Sequence, residues 1–320
     1  MTTSRIAILC NGPRIWASSR LRGFWLEDAA PLAFRAYGPG DPLEGLDGCD
    51  TVIFQKRFKP LDLERARRYQ AEGRQIVFDL TDPMWWWFPQ EVTAMCEIAD
   101  VVTTSNPTLS EAVRLGGKAA RVLTIPDRML PSFHPTVADH GPRERVVLAW
   151  YGDAGNRIAL QGYLPMLAYL AHFYPLELRI IDNAPGLKVV EEDSPHLPIT
   201  HVPWALETVH AQLVGCDIAY LPPYPGPWGL LKSNNRDVTA WWCGLPVVRG
   251  DDVGAMAELL DSPDRRATVG AENRQRAEQE YDIARSVDQW KALAKSLREG
   301  SLDGLLALDP VRQAEEAQVG

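Results

Sequence analysis

Lys232 and Arg236 bracket Ser233, Asn234 and Asn235, and Gly244-Leu245-Pro246-Val247-Val248 begins eight residues after the arginine. Val238, Ala240, Trp241 and Trp242 recur at helical intervals across 235–243, so both cations stand near the amino end of a helix. Backbone N–H groups there lack intrahelical partners, and the helix dipole draws an anion. A lysine and a forked guanidinium at the same end suit a diphosphate. Gly244-Leu245-Pro246 stops the helix and Val247-Val248 opens a buried strand. The plainer alternative is a surface helix with a solvated basic start.

A second set of residues lies where strands give way to loops. The apolar run 146–150 enters Gly152-Asp153-Ala154-Gly155-Asn156-Arg157. In an open α/β sheet, ligands bind at such strand ends. Gly152 allows close approach to backbone, and Arg157 is placed to pair with a phosphate; a plain turn is the alternative. In the first half, Asn11-Gly12-Pro13-Arg14 follows the strand 6–10, and Arg20 opens the next helix. Gln55-Lys56-Arg57 ends the strand 51–54, and Asp79-Leu80-Thr81-Asp82-Pro83 ends the strand 75–78. Carboxylates at a strand's carboxyl end can act as a general base or orient a hydroxyl, or merely cap a loop. Trp85-Trp86-Trp87-Phe88 fits neither an amphipathic helix nor an alternating strand, so at least one ring is expected in solvent, for stacking or as a wedge between domains. Asn106 caps the helix after the strand 101–103 and completes this rim.

The order of these elements resembles that of the GT-B glycosyltransferases, a metal-independent class using nucleotide-activated sugars. The resemblance is carried by Cys216-Asp217-Ile218-Ala219-Tyr220-Leu221-Pro222, the Pro- and Gly-rich loop 222–231, the Lys-Ser-Asn-Asn-Arg helix start, and closing helices with Asn273-Arg274, Tyr281 and Trp290. It covers most of residues 1–300. It implies two Rossmann-like, doubly wound α/β domains facing a cleft, with the second binding the donor. Gly152, Asn156, Arg157, Asn183, Val202, Trp204, Trp228, Gly229, Leu230, Leu231, Ser233, Asn234 and Asn235 are then the expected donor contacts. Trp204 reads equally as a packing residue. The first domain would hold the acceptor through Arg14, Arg20, Lys56, Arg57, Trp85, Trp86, Trp87 and Asn106, with Lys232, Arg236, Asp79 and Asp82 as the catalytic set. The chain departs from the retaining group 1 (family 4-like) pattern at one point: Leu231 and Thr239 stand where many members carry two glutamates. Lys232, Asn235, Arg236 and Asp237 are left to do that work, and stereochemistry stays open.

Those elements need positioning, and strand–helix alternation provides it through parallel sheets. Predicted strands lie at 6–10, 51–54, 75–78, 101–103 and 121–125, with a second set from 145 onward. Domain boundaries are expected at 1–128, a linker at 129–144, 145–282, a closing helix at 283–300 that packs back on the first domain, and a polar tail at 301–320. The 320 residues, 46% hydrophobic and 23% charged, suffice for two ordinary domains. Five scattered cysteines without metal-ligand spacing read as reduced core thiols, and 6–10 is too short for a signal-peptide core, so a cytoplasmic enzyme is expected. No membrane span and no metal are expected.

Residues 1–142 carry 16 basic and 17 acidic side chains, so the net −9 resides mainly in the second half. A basic group in the first half (Arg14, Arg20, Arg22, Lys56, Arg57, Lys59, Arg65, Arg67, Arg68) suits an anionic acceptor, DNA included. The expected function is sugar transfer from a nucleoside diphosphate sugar, UDP first and GDP next, to a hydroxyl of a glycan, lipid-linked sugar or small polar acceptor. Transfer to a hydroxymethylated DNA base, a sugar-nucleotide epimerase or phosphorylase, and a non-catalytic sugar-nucleotide-binding module are the alternatives. Oligomeric state is not legible.

Overall fold

The computed structural model describes residues 5–116, 119–184, 195–250 and 252–306. The chain divides into two compact units, Met1–Arg128 with Leu230–Ser233 and Ile283–Gly320, and Met129–Gly229 with Asn234–Asp282. The expected linker 129–144 groups with the second unit. Met129 bridges Asp282, and the Ala138 amide donates to the Cys243 carbonyl at 2.8 Å. Of the polar tail, Leu302–Leu306 forms a short helix, and 307–320 lie outside the described residues.

The first unit is a six-stranded sheet: β1 (Arg5–Cys10), β2 (Phe34–Tyr37), β3 (Cys49–Gln55), β4 (Gln75–Leu80), β5 (Val101–Thr104) and β6 (Val122–Thr124). The order is β2-β1-β3-β4-β5-β6 and every pairing is parallel. Strands buried on both faces explain the apolar runs that predict five of the six. The edge strand β2 was not predicted: Phe-Arg-Ala-Tyr is short and its exposed arginine breaks the apolar signal. Phe54, Phe78 and Val102 pack into one core with Trp85, Met95 and Leu109. On the other side, helix Ile283–Glu299 lies on β4 and on helix Trp25–Ala29.

The second unit is a five-stranded parallel sheet: β7 (Val146–Gly152), β8 (Leu176–Asp182), β9 (Ile199–Pro203), β10 (Ile218–Tyr220) and β11 (Val247–Val248), in the order β11-β10-β7-β8-β9. Alternate residues of β7 face opposite cores. Leu148 and Trp150 point into one with Ile180 and Leu260, while Val147, Ala149 and Tyr151 point into the other with Ile181 and Ala240. This is the doubly wound, Rossmann-like pattern. The strand order reverses at β1/β3 in the first sheet and at β7/β10 in the second, so the carboxyl ends there are where such sheets receive ligands. Among the described residues no helix is long and apolar enough to cross a membrane. All five cysteines are free and buried.

Candidate functional site

In the second unit, β7 ends at Gly152 (φ +152°), and the first turn of helix Asn235–Trp242 lies beside it. A Cβ on Gly152 would sit 3.6 Å from Arg236 Cδ, 3.7 Å from its Nη1 and 3.9 Å from Asn156 Nδ2. The glycine therefore opens a niche lined by a guanidinium and an amide. Tyr151 Oη donates to the Arg236 carbonyl, which ties the helix start to the strand end. Arg236 Nη1 is shielded from solvent and, among the described residues, has no hydrogen-bond partner. Burial draws the Arg236 pKa down, with Tyr151 and Asp237 opposing. An arginine so held is a donor looking for an anion. The helix adds to this, because Asn234 leaves its first amides uncapped and turns its own amide to Tyr281 Oη at 3.1 Å.

Other predicted donor residues are occupied differently. Arg157 is 3% exposed and holds Asp182 with both Nε and Nη2, while Nη2 also reaches the Ala184 carbonyl at 2.6 Å. The arginine, expected as a phosphate contact, braces the ends of β7 and β8. Asn183 likewise binds protein, accepting from the Ala154 amide at 2.8 Å and donating to Asp153 at 2.9 Å. It shapes the Gly152 loop from an exposed position. Trp204 is half-buried against the second core beside Val202, and its amide donates to the Asp182 carbonyl at 2.7 Å.

The loop after β10 closes with helix Pro227–Leu231. Trp228 is half-buried and Leu230 exposed, while a Cβ on Gly229 would meet the Tyr224 carbonyl oxygen at 2.0 Å, so only glycine fits there. Leu231 enters the core of the first unit, where its carbonyl accepts from Asn106 Nδ2 at 3.1 Å. Asn106 also caps its own helix, its Oδ1 accepting from the Leu109 amide at 2.8 Å. The predicted cation pair is thereby divided. Lys232 and Ser233 group with the first unit, and Asn234, Asn235 and Arg236 with the second. Thr239 Oγ1 donates back to the Asn235 carbonyl at 2.8 Å, so neither position of the missing glutamates presents an acid.

In the first unit, β4 runs two residues past the predicted end at Phe78. Asp79 is consequently a strand residue, fully buried on the face opposite Phe78. Its oxygens accept from Arg22 Nη2 at 2.5 Å and Nε at 3.1 Å and from Thr103 Oγ1 at 2.7 Å. Arg22 also donates to the Ile125 carbonyl and lies 3.4 Å from Asp127. Asp79, expected in the catalytic set, anchors a buried ion cluster. Arg22 was read as part of a surface patch, and the neighbours that bury it are too distant in sequence to be visible there. Asp127 completes the cluster: burial raises its pKa, opposed by Arg22 and by a hydrogen bond from Ser233.

Asp82, by contrast, stands at the sheet's carboxyl edge and pairs with Lys56 at 2.5 Å. Lys56 has φ +52°, the only left-handed non-glycine among the described residues. Held strain of this kind gathers at working sites. Arg57 is spent on Asp62 at 2.6 Å, Arg14 on Asp28 at 2.5 Å, and Arg20 on the Ile15 carbonyl at 2.7 Å. Burial lowers the Arg20 pKa to about 10. Trp85, expected at the acceptor, is buried in the core against Gly116, whereas Trp86 and Trp87 are exposed. Trp16, which the sequence reading passed over, is also exposed and packs on Gly12.

No protein-family model matches the chain. No curated protein matches it either. Solved structures do. A glycosyltransferase from Rickettsia africae is 7% identical with a TM-score of 0.61, covering 92% of this chain and 99% of that one. An alpha-glucosyltransferase in complex with UDP-glucose and DNA containing an abasic site is 10% identical with a TM-score of 0.60, over 91% and 99%. The catalytic domain of starch synthase IV from Arabidopsis thaliana, bound to ADP and acarbose, is 9% identical with a TM-score of 0.53, over 95% and 100%. The two Rossmann-like units and these likenesses together give the chain the GT-B glycosyltransferase fold.

Proposed function

We propose that the protein is a glycosyltransferase that moves a sugar from a nucleoside diphosphate sugar to a hydroxyl acceptor. The observation that carries this reading is the Arg236 niche, with a shielded guanidinium nitrogen that has no acceptor among the described residues, a glycine opening the approach, and a helix start without a side-chain cap. There the leaving diphosphate would gain charge-assisted hydrogen bonds without a divalent metal, and the positioned guanidinium would stabilise negative charge as the glycosidic bond breaks. Lys232 is assigned to the same task from its place in the motif. A uridine nucleotide is the first donor choice and a guanosine nucleotide the second. UDP-glucose and ADP are the nucleotides named with two of the similar structures.

Asp82, held by Lys56 at the carboxyl edge of the first sheet, is the candidate to accept the acceptor's proton or orient its hydroxyl. The acceptor is read as a glycan, lipid-linked sugar or small polar molecule. A second reading, transfer to a modified DNA base, draws on the exposed rings of Trp16, Trp86 and Trp87 and on the DNA named with one similar structure. Much of the basic group meant to attract DNA is already neutralised, by Asp28, Asp62, Asp79 and Asp82, which favours the first reading.

The test is a thermal-shift panel of UDP, GDP, ADP, CDP and TDP on the wild type, Arg236→Gln and Lys232→Ala. A ligand at one hundred times its dissociation constant stabilises by about 2.7 kcal/mol. One nucleotide should shift the wild type and lose most of that shift in Arg236→Gln. Absence of any shift at millimolar nucleotide would overturn the donor site. The selected sugar nucleotide is then offered with glycan acceptors and with hydroxymethylated DNA, and released nucleoside diphosphate is measured.

A further inference from the structure

At the other end of the helix that begins with Arg236, three side chains bring metal-ligating atoms together. His134 follows the 3-10 turn Pro131–Phe133, His210 is the second residue of helix Val209–Val214, and Cys243 caps helix Asn235–Trp242. Among the described residues they are the one group of three or more His, Cys, Asp or Glu side chains so placed. His134 Nδ1 and His210 Nδ1 are 3.3 Å apart, and Cys243 Sγ lies 3.6 Å from the second and 3.9 Å from the first. Metal–nitrogen bonds of about 2.05 Å and a metal–sulfur bond of about 2.3 Å at tetrahedral angles give separations of about 3.3 Å for N···N and about 3.6 Å for N···S. Two of the three distances meet those values, and the third needs a movement of about 0.3 Å, within the latitude of side-chain rotation.

We propose that His134, His210 and Cys243 bind a zinc-class transition-metal ion that staples the 131–134 turn and helix Val209–Val214 to the carboxyl end of helix Asn235–Trp242. Two imidazoles and one thiolate are a borderline-soft donor set, suited to zinc or cobalt rather than to magnesium or calcium. The surroundings are those of a built site. His210 Nε2 lies 2.9 Å from Thr136 Oγ1, so with a metal on Nδ1 the other ring nitrogen donates to the hydroxyl and fixes the tautomer. The His134 ring stacks on Trp242, with centroids 6.0 Å apart and planes at 23°. Arg274 lies over the Trp242 ring, 4.6 Å from its centroid, and donates to the His134 carbonyl at 3.1 Å. Its positive charge favours the thiolate and the neutral imidazole. Binding forms the metal–sulfur bond as the Cys243 proton leaves to buffer. His210 is half-buried and Thr136 exposed; water would complete a four-coordinate shell.

Tag-free full-length protein, stripped with a chelator, is titrated with Co²⁺ and followed by absorbance. The expected result is a thiolate-to-cobalt charge-transfer band saturating at one equivalent, visible bands of four-coordinate intensity, and bleaching of both by Zn²⁺. Zinc should also raise the melting temperature of the wild type. Cys243→Ser should abolish the charge-transfer band. Because Cys243 is a core residue, the half-buried His210→Ala is the second variant; it should melt like the stripped wild type, weaken cobalt binding at least tenfold and lose the zinc-dependent rise. Absence of the thiolate band in the wild type overturns the proposal. So does a band or a zinc-dependent rise that persists unchanged in His210→Ala.

Discussion

Replacing Asp79 by asparagine separates a buried structural carboxylate from Asp82, the carboxylate proposed for catalysis. Asp79 and Arg22 have side-chain exposures of 0% and 2%, and their two contacts form a bidentate pair. Asparagine keeps one acceptor but turns an NH2 group toward the guanidinium, leaving a buried cation with half its partner. Breaking a buried pair from one side costs about 3–5 kcal/mol. Asp127, at 3.4 Å from the same guanidinium, compensates in part and places the expected loss near the lower end, about 3 kcal/mol. Against a total stability of about 5–15 kcal/mol, that loss is large. At about 2–4 °C per kcal/mol for a unit of this size, the melting temperature should fall by about 6–12 °C. Asp82→Asn is the control, since its pair with Lys56 is partly exposed, at 20% and 14%, and should cost about 1 kcal/mol or less. Urea and thermal unfolding of both variants, with the proposed sugar transfer measured well below the melting range, give the comparison. Asp79→Asn is expected to be unstable, with its loss of transfer following its loss of folded protein, and Asp82→Asn stable but poor in transfer. An Asp79→Asn protein as stable as wild type yet inactive would refute the assignment.

Three further outcomes follow from the same geometry. The raised pKa of Asp127 means that its protonated form suits the fold better, so its contribution is fully present below the ordinary carboxyl value of about 4 and lost as pH rises through the folded pKa. Asp127→Asn should therefore melt higher than wild type near pH 7, with the gap closing toward about pH 4; a gap independent of pH would disprove the linkage. Lys56→Gly should relieve left-handed backbone worth about 1–2 kcal/mol while deleting the partner of Asp82, leaving a folded protein with reduced transfer, as melts and product assays would show. Gly229→Ala drives a methyl against the Tyr224 carbonyl and should cost about 1–3 kcal/mol, read as a lower urea midpoint; an unchanged midpoint would show that the helix Pro227–Leu231 yields freely.

The sequence by itself determined what depends on local order. Apolar runs from strands buried on both faces, with helices between them, are enough to specify two parallel α/β sheets, and the helix start at Asn235 follows from a few adjacent residues. Gly152 at a strand end was legible for the same reason. What each charged side chain does was decided only by tertiary structure, because partners come from distant segments. Asp79 and Arg22 are 57 residues apart, and Arg157 and Asp182 are 25 apart; each pair is removed from solvent by strands and helices that no local window contains. The chain reaches Leu231 before returning to the second unit, so neighbours in one motif were divided between two cores. His134, His210 and Cys243 carry no spacing signal for the same reason: their 76- and 33-residue separations close only when a turn, a helix start and a helix end meet. Burial and ion pairing are long-range properties, and long-range contacts decide which of many plausible polar residues remain available for chemistry.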